Sequence, residues 1–256
     1  MSLDLLITNG LVIDGTGLPR RRADVAVRDG RIVGIGHFDA ADAERVIDAR
    51  GHVVAPGIVD PHTHYDPQLT FEPFGTSSCF HGVTTVVAGN CGFSIAPAKT
   101  EDRGFITQIF ARVEDMAPGS LAAIPWDFES FPEFVAARAG HLGLNAAFYV
   151  GHCNLRRWVM GEDCTEREAT EDEIAAMCGM VREAMDAGAA GLSSTHAPTH
   201  LDAADRPVPS RLASREELAA LVREVGKTNR GSISYLPYSS IGGLDEADGD
   251  YLIELA

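Results

Sequence analysis

The stretch Pro56-Gly57-Ile58-Val59-Asp60-Pro61-His62-Thr63-His64 decides the fold. A Pro-Gly break precedes a short apolar run with the pattern of a buried strand, and two histidines, two residues apart, follow it. Residues i and i+2 of an extended chain point to the same side, so both imidazoles can face one cation. Because functional residues gather at the carboxyl ends of the strands in a parallel barrel, this context favours metal binding over chance spacing.

Downstream of this stretch, β-rich apolar runs alternate with helical patterns. The runs are residues 58–59, 83–88, 144–150, 189–192 and 232–235. Such alternation is typical of βαβ units around a parallel sheet. The spacing of apolar residues also predicts helices over about 102–114 and 171–187. Residues 57–256 are therefore expected to form an α/β domain.

Capping signals support two of the helices. Thr170 and Glu173 have capping-box spacing before the helix over 171–187, and Ser214 and Glu217 have the same spacing before another helix. Gly188 stands where a C-terminal cap belongs. These signals predict where the helices begin and end.

Upstream of residue 57 the pattern is different. Short apolar stretches are separated by Asn9-Gly10, Asp14-Gly15 and Asp29-Gly30, and glycine supplies the positive φ that tight hairpin turns require. We expect residues 1–56 to form a separate domain of antiparallel strands.

Composition narrows the class of protein. With 37 acidic and 21 basic side chains among 256 residues, the net charge of −16 disfavours binding to nucleic acid or to an anionic membrane. No apolar run reaches the roughly 18 residues of a membrane span, and a basic signal-peptide region is not evident. Five scattered cysteines favour a reducing compartment. These features predict a cytoplasmic protein.

The order of these motifs resembles that of the amidohydrolase superfamily, in particular the N-acyl-D-amino-acid deacylase (D-aminoacylase) branch. Residues 4–66 are similar to the start of that superfamily. Later motifs are similar to the deacylase branch: Gly82-Val83-Thr84-Thr85-Val86-Val87-Ala88-Gly89-Asn90-Cys91-Gly92-Phe93, Gly151-His152-Cys153-Asn154-Leu155-Arg156 and Gly191-Leu192-Ser193-Ser194. The resemblance implies an α/β protein in which residues 1–56 supply strands of a small β-sandwich. Residues 57–256 would then supply about the first five β/α units of a TIM-like (β/α)8 metal-dependent hydrolase barrel.

The resemblance also implies that Cys91 is a metal ligand together with His62 and His64. By residue type alone Cys91 would be a small buried apolar side chain, so its assignment depends on the flanking motif. Two imidazoles and a thiolate suit zinc better than magnesium or calcium. The implied activity is hydrolysis of a linear amide, in which zinc-activated water attacks the acyl carbonyl of a small N-acyl-D-amino acid.

Polar residues after the third and fourth barrel strands are candidates for substrate binding. His152 and Arg156 are expected to contact a substrate carboxylate or acyl oxygen, although an ion pair is an equal alternative for Arg156. Ser193 and Ser194 are expected to line the site, because no Gly-x-Ser-x-Gly elbow marks either as a nucleophile.

Two further pairs of residues are expected near the metal ligands or the mouth of the pocket. Asp60 and Asp66 are expected to orient the metal-binding imidazoles, which usually donate their second N–H to an acceptor. His196 and His200 are four residues apart, but Pro198 argues against a helix. We expect that pair in a loop near the mouth of the pocket.

The sequence departs from the family in two motifs. The fourth strand lacks the lysine that other amidohydrolases carboxylate, since Lys99 and Lys227 are the only lysines. The fifth strand, near residues 232–238, lacks the histidine of the deacylase Thr-His-x-Arg signature. A lysine-bridged pair of metals is therefore not expected, and the number of metals and the substrate stay open.

Length is the third departure. A (β/α)8 barrel takes about 250 residues by itself, so we expect this chain to be the N-terminal portion of a longer protein. The aspartate that serves the family as general acid and base would then lie beyond Ala256, and no catalytic residue is assigned here. We expect the chain alone to be inactive and to self-associate through exposed barrel edges.

Two alternatives remain at this point. A cyclic-amide hydrolase of the dihydroorotase or hydantoinase type shares the two histidines but requires the fourth-strand lysine. An inactive amidohydrolase scaffold would bind no metal.

Overall fold

A computed structural model describes residues 2–256, which form two compact units, residues up to 58 and residues 59–256. The sequence predicts this boundary after residue 56. In the described part of the chain, none of the helices combines the length and the hydrophobicity that crossing a bilayer requires.

The first unit is one five-stranded sheet. Its strands are β1 (Leu5–Val12), β2 (Arg21–Arg28), β3 (Arg31–Gly36), β4 (Val46–Asp48) and β5 (Val53–Val54). The order is β3-β2-β1-β4, with β5 also paired to β1. The β1–β2 and β2–β3 pairs are antiparallel, as expected from the hairpin turns. The expectation of a wholly antiparallel segment is wrong, because β4 and β5 both run parallel to β1.

The second unit contains a five-stranded sheet in sequence order. Its strands are β6 (Ile58–Asp60), β7 (Val83–Ala88), β8 (Asn145–Gly151), β9 (Gly191–Thr195) and β10 (Ser232–Leu236), arranged β10-β9-β8-β7-β6. The β7–β8, β8–β9 and β9–β10 pairs are parallel. Each of the five predicted strands is present within a few residues of its predicted position, which confirms the α/β class.

Within residues 2–256, seven α-helices connect and cover the strands. They are α1 (Arg103–Val113), α2 (Pro118–Leu121), α3 (Phe131–Arg138), α4 (His152–Met160), α5 (Glu171–Asp186), α6 (Arg215–Gly226) and α7 (Glu246–Leu255). The predictions of α1, α5 and α6 are confirmed. At α5 the Thr170 hydroxyl accepts the Glu173 N–H, and the Glu173 carboxylate accepts the Thr170 N–H, which completes the predicted capping box.

The core of the second unit lies between the sheet and these helices. Leu218, Leu221 and Val225 of α6 are buried there, as their helical spacing predicts. Burial of each such side chain contributes about 1.5–3 kcal/mol to the free energy of unfolding. The expectation that the run Ile58-Val59 is buried is wrong: Ile58 is 53% and Val59 57% exposed, and β6 is the edge strand of its sheet.

Candidate metal centre

Three side chains that could bind a metal converge at the carboxyl ends of β6 and β7. One ligand atom from each of His62, His64 and Cys91 lies within 4.8 Å of the others. His62 Nε2 is 3.2 Å from Cys91 Sγ. The structure thus brings together the three residues that the sequence singled out as metal ligands.

Thr63 fixes the loop that carries the two histidines. Its backbone N–H and its hydroxyl both donate to the carbonyl of Val87 in β7, at 3.0 and 2.9 Å. Asn90 also holds this loop against β7, because its side-chain amide donates hydrogen bonds to the carbonyls of Thr63 and Val87. With Thr63 held against β7, its neighbours on either side present their imidazoles to Cys91.

The turn that carries Cys91 has an unusual backbone. Gly89, Cys91 and Gly92 have φ values of +77°, +56° and +80°. At Gly89 a Cβ would lie 2.5 Å from the carbonyl oxygen of Tyr149, so only glycine fits there. Ser193 holds the turn from the opposite side: its hydroxyl donates to the Gly89 carbonyl and accepts the Gly92 N–H.

Burial sets the protonation of two of the three side chains. It raises the pKa of the Cys91 thiol to about 12, with a smaller effect of Glu114 in the same direction. It lowers the pKa of His64 to about 4, so this imidazole is neutral at pH 7 and has a lone pair to offer. The Nδ1 atom of His64 is buried and has no hydrogen-bond partner among the described residues.

This donor set fits zinc. Two imidazole nitrogens and one sulfur are the ligand types that zinc prefers, and their separations allow binding to a single ion. The buried thiol would lose its proton when a cation binds.

A fourth group at this position was not anticipated from the sequence. Glu114 directly follows α1, and its Oε1 atom is 3.3 Å from His64 Nε2. Both side chains line a cavity of about 490 Å³, together with His62, Cys91 and His200. The loop between β9 and α6 carries His196 and His200, which confirms their predicted loop placement.

None of the four residues expected to contact substrate, His152, Arg156, Ser193 and Ser194, is among the described residues that line this cavity. His152, Arg156 and Ser194 are fully buried and form one hydrogen-bonded network with Glu217. His152 links Ser194 to Glu217 through its two ring nitrogens. Ser194 Oγ is 2.9 Å from His152 Nδ1, and His152 Nε2 is 2.8 Å from Glu217 Oε1. Arg156 donates to the second oxygen of Glu217. Their role as substrate contacts stays a prediction.

Glu217 is the second residue that sequence reasoning missed. Its spacing from Ser214 indicated a capping box, and Ser214 does accept the Glu217 N–H at 3.1 Å. The Glu217 carboxylate does not complete the capping box; it is buried and contacts His152 and Arg156. Burial alone would raise the pKa of Glu217, but the hydrogen bonds and charges of His152 and Arg156 outweigh it and lower that pKa.

Within the described residues, neither Asp60 nor Asp66 hydrogen-bonds to an imidazole nitrogen of His62 or His64, and their orienting role stays a prediction. Asp60 accepts the backbone N–H of His62 at 3.3 Å. Asp66 is buried and accepts the Ile95 N–H at 2.8 Å, while its other oxygen has no hydrogen-bond partner within residues 2–256. Burial raises the pKa of Asp66 to about 7.

Comparison with known proteins identifies the family. Residues 45–246 match the amidohydrolase family, and residues 1–57 match the N-terminal domain of the urease alpha-subunit. The first match covers well over half of the chain, so the chain belongs to the amidohydrolase family.

Individual relatives point to one branch of it. The chain is 42% identical over 194 residues to D-aminoacylase from Alcaligenes xylosoxydans xylosoxydans, a match that covers 75% of this chain and 37% of the relative. A crystal structure of N-acyl-D-glutamate deacylase from Bordetella bronchiseptica, complexed with zinc and a phosphonate inhibitor, matches with a TM-score of 0.78 and 34% identity. That match covers 100% of this chain and 49% of the deacylase. A crystal structure of D-aminoacylase matches with a TM-score of 0.74 and 36% identity over 98% of this chain and 48% of that one. The chain therefore spans between about a third and a half of the length of these relatives.

Proposed function

We propose that this chain carries the metal-binding part of a hydrolase that cleaves the linear amide of N-acyl-D-amino acids. Zinc would be held by His62, His64 and Cys91. The observation that supports this most is the convergence of three predicted ligands on one point at the wall of a cavity. The similarity to D-aminoacylase and to N-acyl-D-glutamate deacylase supports the substrate class.

The bound metal would polarise an acyl carbonyl and lower the pKa of a water molecule toward neutrality. Each of the three candidate ligands suits metal binding in a different way. Neutral His64 offers its lone pair, and the Cys91 thiol stays protonated until a cation arrives. His62 is the exposed member of the three and connects the site to solvent.

The cavity suits a small anionic substrate. Its volume of about 490 Å³ lies within the usual range for small-molecule sites. Arg112 lines it and forms an ion pair with Asp205 at 2.9 Å. Because Arg156 is buried against Glu217, Arg112 is the better candidate to receive the carboxylate of an N-acyl amino acid.

The cyclic-amide alternative is less well supported. It requires a lysine on β9, and that strand reads Gly-Leu-Ser-Ser-Thr. The ammonium group of Lys99 donates to the Trp158 carbonyl, and that of Lys227 pairs with Glu224. Neither lysine lines the cavity.

Zinc stoichiometry tests the proposal against a non-catalytic scaffold. We expect the purified chain to retain one or two zinc ions per molecule by elemental analysis and Cys91→Ala to lose zinc. Cys79→Ala is the matched control, because this cysteine is half-buried and outside the ligand cluster. Isothermal titration with N-acetyl-D-glutamate and its L enantiomer then tests the substrate class, and the D form is expected to bind more tightly. A chain that takes up no zinc would contradict the proposal.

A further inference from the structure

His200 is held at the wall of the cavity by contacts on several sides. Its backbone N–H donates to the Ala197 carbonyl at 3.1 Å, and its own carbonyl accepts the Val208 N–H at 3.3 Å. A guanidinium N–H of Arg211 donates to the same carbonyl at 3.2 Å. The imidazole packs against the Phe93 ring, with 5.2 Å between the ring centroids. The fold therefore fixes the position of this side chain.

The hydrogen bonds of Thr195 determine which nitrogen of His200 carries a proton. Thr195 is fully buried, and its Oγ1 atom accepts the Ala197 N–H at 3.1 Å and lies 2.9 Å from His200 Nδ1. Among the described residues, Nδ1 is the one acceptor within reach of the Thr195 hydroxyl proton. If Nδ1 carried a proton, two N–H groups would face Oγ1 and the buried O–H would have no acceptor, which costs free energy. The network thus assigns the hydroxyl proton to the bond with Nδ1 and the ring proton to Nε2.

The second ring nitrogen of His200 is available to a ligand. Nε2 has no hydrogen-bond partner within residues 2–256, and unlike Nδ1 of His64 it is not buried. His200 lines the cavity together with the three candidate metal ligands. His64 also packs near the Phe93 ring, with 6.4 Å between the centroids, so the two imidazoles share one aromatic neighbour. The Nε2–H group is therefore a donor beside the candidate metal centre.

The imidazole of His200 is neutral at pH 7. Burial lowers its pKa to about 4, and the positive charge of Arg211 acts in the same direction. A neutral ring does not repel a cation bound by the three candidate ligands. A protonated ring would also carry a proton on Nε2, so the donor is present in both ionisation states.

We infer that His200 Nε2–H donates a hydrogen bond to an oxygen atom of the substrate, and that Thr195 is the positioning residue that fixes this tautomer. The inference rests on the proposed function, because it takes an N-acyl amino acid as the substrate. Such a molecule has two kinds of oxygen acceptor, the acyl oxygen and the carboxylate oxygens. The charged guanidinium of Arg112 suits the carboxylate, which leaves the acyl oxygen for the neutral donor. When water adds to the acyl carbon, the π pair of the C=O bond moves onto that oxygen, so a donor there binds more strongly as the charge develops.

NMR of the histidine side chains tests the tautomer. A two-bond ¹H–¹⁵N correlation spectrum of the zinc-loaded chain, labelled with ¹⁵N-histidine, distinguishes protonated from unprotonated ring nitrogens. The His200 signals are identified by their absence in His200→Phe. We expect the proton on Nε2 in the wild type and in Thr195→Ser, which keeps the hydroxyl, and a mixture of tautomers in Thr195→Val.

Two results of this measurement would contradict the inference. A proton on Nδ1 in the wild type would overturn the donor role of His200 and leave the zinc site intact. The single wild-type tautomer in Thr195→Val would overturn the positioning role of Thr195.

Addition of ligand tests the contact itself. N-acetyl-D-glutamate carries an acyl oxygen and carboxylates, whereas D-glutamate carries carboxylates alone. We expect N-acetyl-D-glutamate to shift the Nε2 signal of His200. By isothermal titration, His200→Phe should bind it about 3- to 10-fold more weakly than the wild type, the effect of one hydrogen bond. His141→Phe is the control, because His141 is exposed and outside the cavity, and it should match the wild type.

The two probes distinguish the oxygen atoms and the levels of the hypothesis. A shift with N-acetyl-D-glutamate alone identifies the acyl oxygen as the acceptor, and a shift with both probes identifies a carboxylate. A zinc-loaded chain that binds N-acetyl-D-glutamate with no shift of the His200 signal, and equally well in His200→Phe, would overturn the inference and leave the proposed function intact. A zinc-loaded chain that binds neither probe would overturn the substrate class together with the inference.

Discussion

The hydroxyl of Ser193 accepts a hydrogen bond from the backbone N–H of Gly92, 3.0 Å away and 101 residues earlier in the chain. The same hydroxyl donates to the carbonyl of Gly89. One small side chain on β9 thus holds both ends of the turn that presents Cys91. It gives Ser193 a positioning role at the site.

Replacement of this serine tests that role. Ser193→Ala leaves a buried N–H and a buried carbonyl without their partner, so the free energy of unfolding should fall by about 1–3 kcal/mol. Zinc affinity should fall as well, because the turn is no longer held. Urea denaturation and zinc competition measure the two effects, with exposed Ser120→Ala as the control. Unchanged zinc affinity would contradict the positioning role.

The backbone of the same turn gives a second prediction. Gly89→Ala places a Cβ 2.5 Å from the Tyr149 carbonyl oxygen at a φ of +77°. Gly140→Ala is a matched control, since φ is +74° there and a Cβ would meet nothing within 4 Å. Both variants should lose about 1 kcal/mol or more of stability from the left-handed backbone, and Gly89→Ala should lose clearly more. If urea denaturation gives equal losses of stability for the two variants, the contact between residue 89 and the Tyr149 carbonyl does not contribute to the cost.

The buried network around Glu217 gives a third prediction. Glu217→Gln removes the carboxylate that faces both His152 and Arg156 and leaves a buried guanidinium without its counter-charge. Loss of one partner from a buried ion pair costs about 3–5 kcal/mol, so this variant should unfold at much lower urea concentration. Exposed Glu216→Gln, one residue earlier on the same helix, should unfold like the wild type. A cost below about 1 kcal/mol would contradict the account of this network.

Stability should also depend on pH through His196. Burial lowers the pKa of this imidazole to about 4, whereas an unfolded histidine titrates near 6.5. Between these values the unfolded chain takes up a proton that the native state does not, so stability decreases as the pH falls from about 6.5 to 4.

The contribution of His196 can be isolated by substitution. His196→Gln should show a smaller decrease in the free energy of unfolding between pH 6.5 and 4.5 than the wild type, with EDTA present to remove metal. His141→Gln, at an exposed position, should retain the wild-type dependence. An identical slope in His196→Gln would show that His196 does not contribute.

The predictable parts of this molecule are those set by local sequence. The capping box at Thr170 and Glu173 marks the start of α5, and the spacing of Leu218, Leu221 and Val225 defines the buried face of α6. The pair His62 and His64 follows from the two-residue period of an extended chain.

The unpredicted parts depend on contacts between distant segments. The parallel pairing of β4 with β1 requires the chain to return across the sheet, which turn signals near Asp29-Gly30 do not reveal. Glu114 reaches His64 only because α1 packs against it, and Glu217 has a local capping pattern that its buried partners override. Cys91 was assigned from its flanking motif, since a buried cysteine has no periodicity of its own.

Zinc K-edge X-ray absorption on the purified zinc-loaded chain tests the central claim most directly, because it detects the sulfur of Cys91 in the coordination sphere. The account predicts one sulfur at about 2.3 Å together with nitrogen or oxygen ligands at about 2.0–2.2 Å, and loss of the sulfur contribution in Cys91→Ser. A wild-type spectrum with nitrogen and oxygen scatterers alone would contradict it.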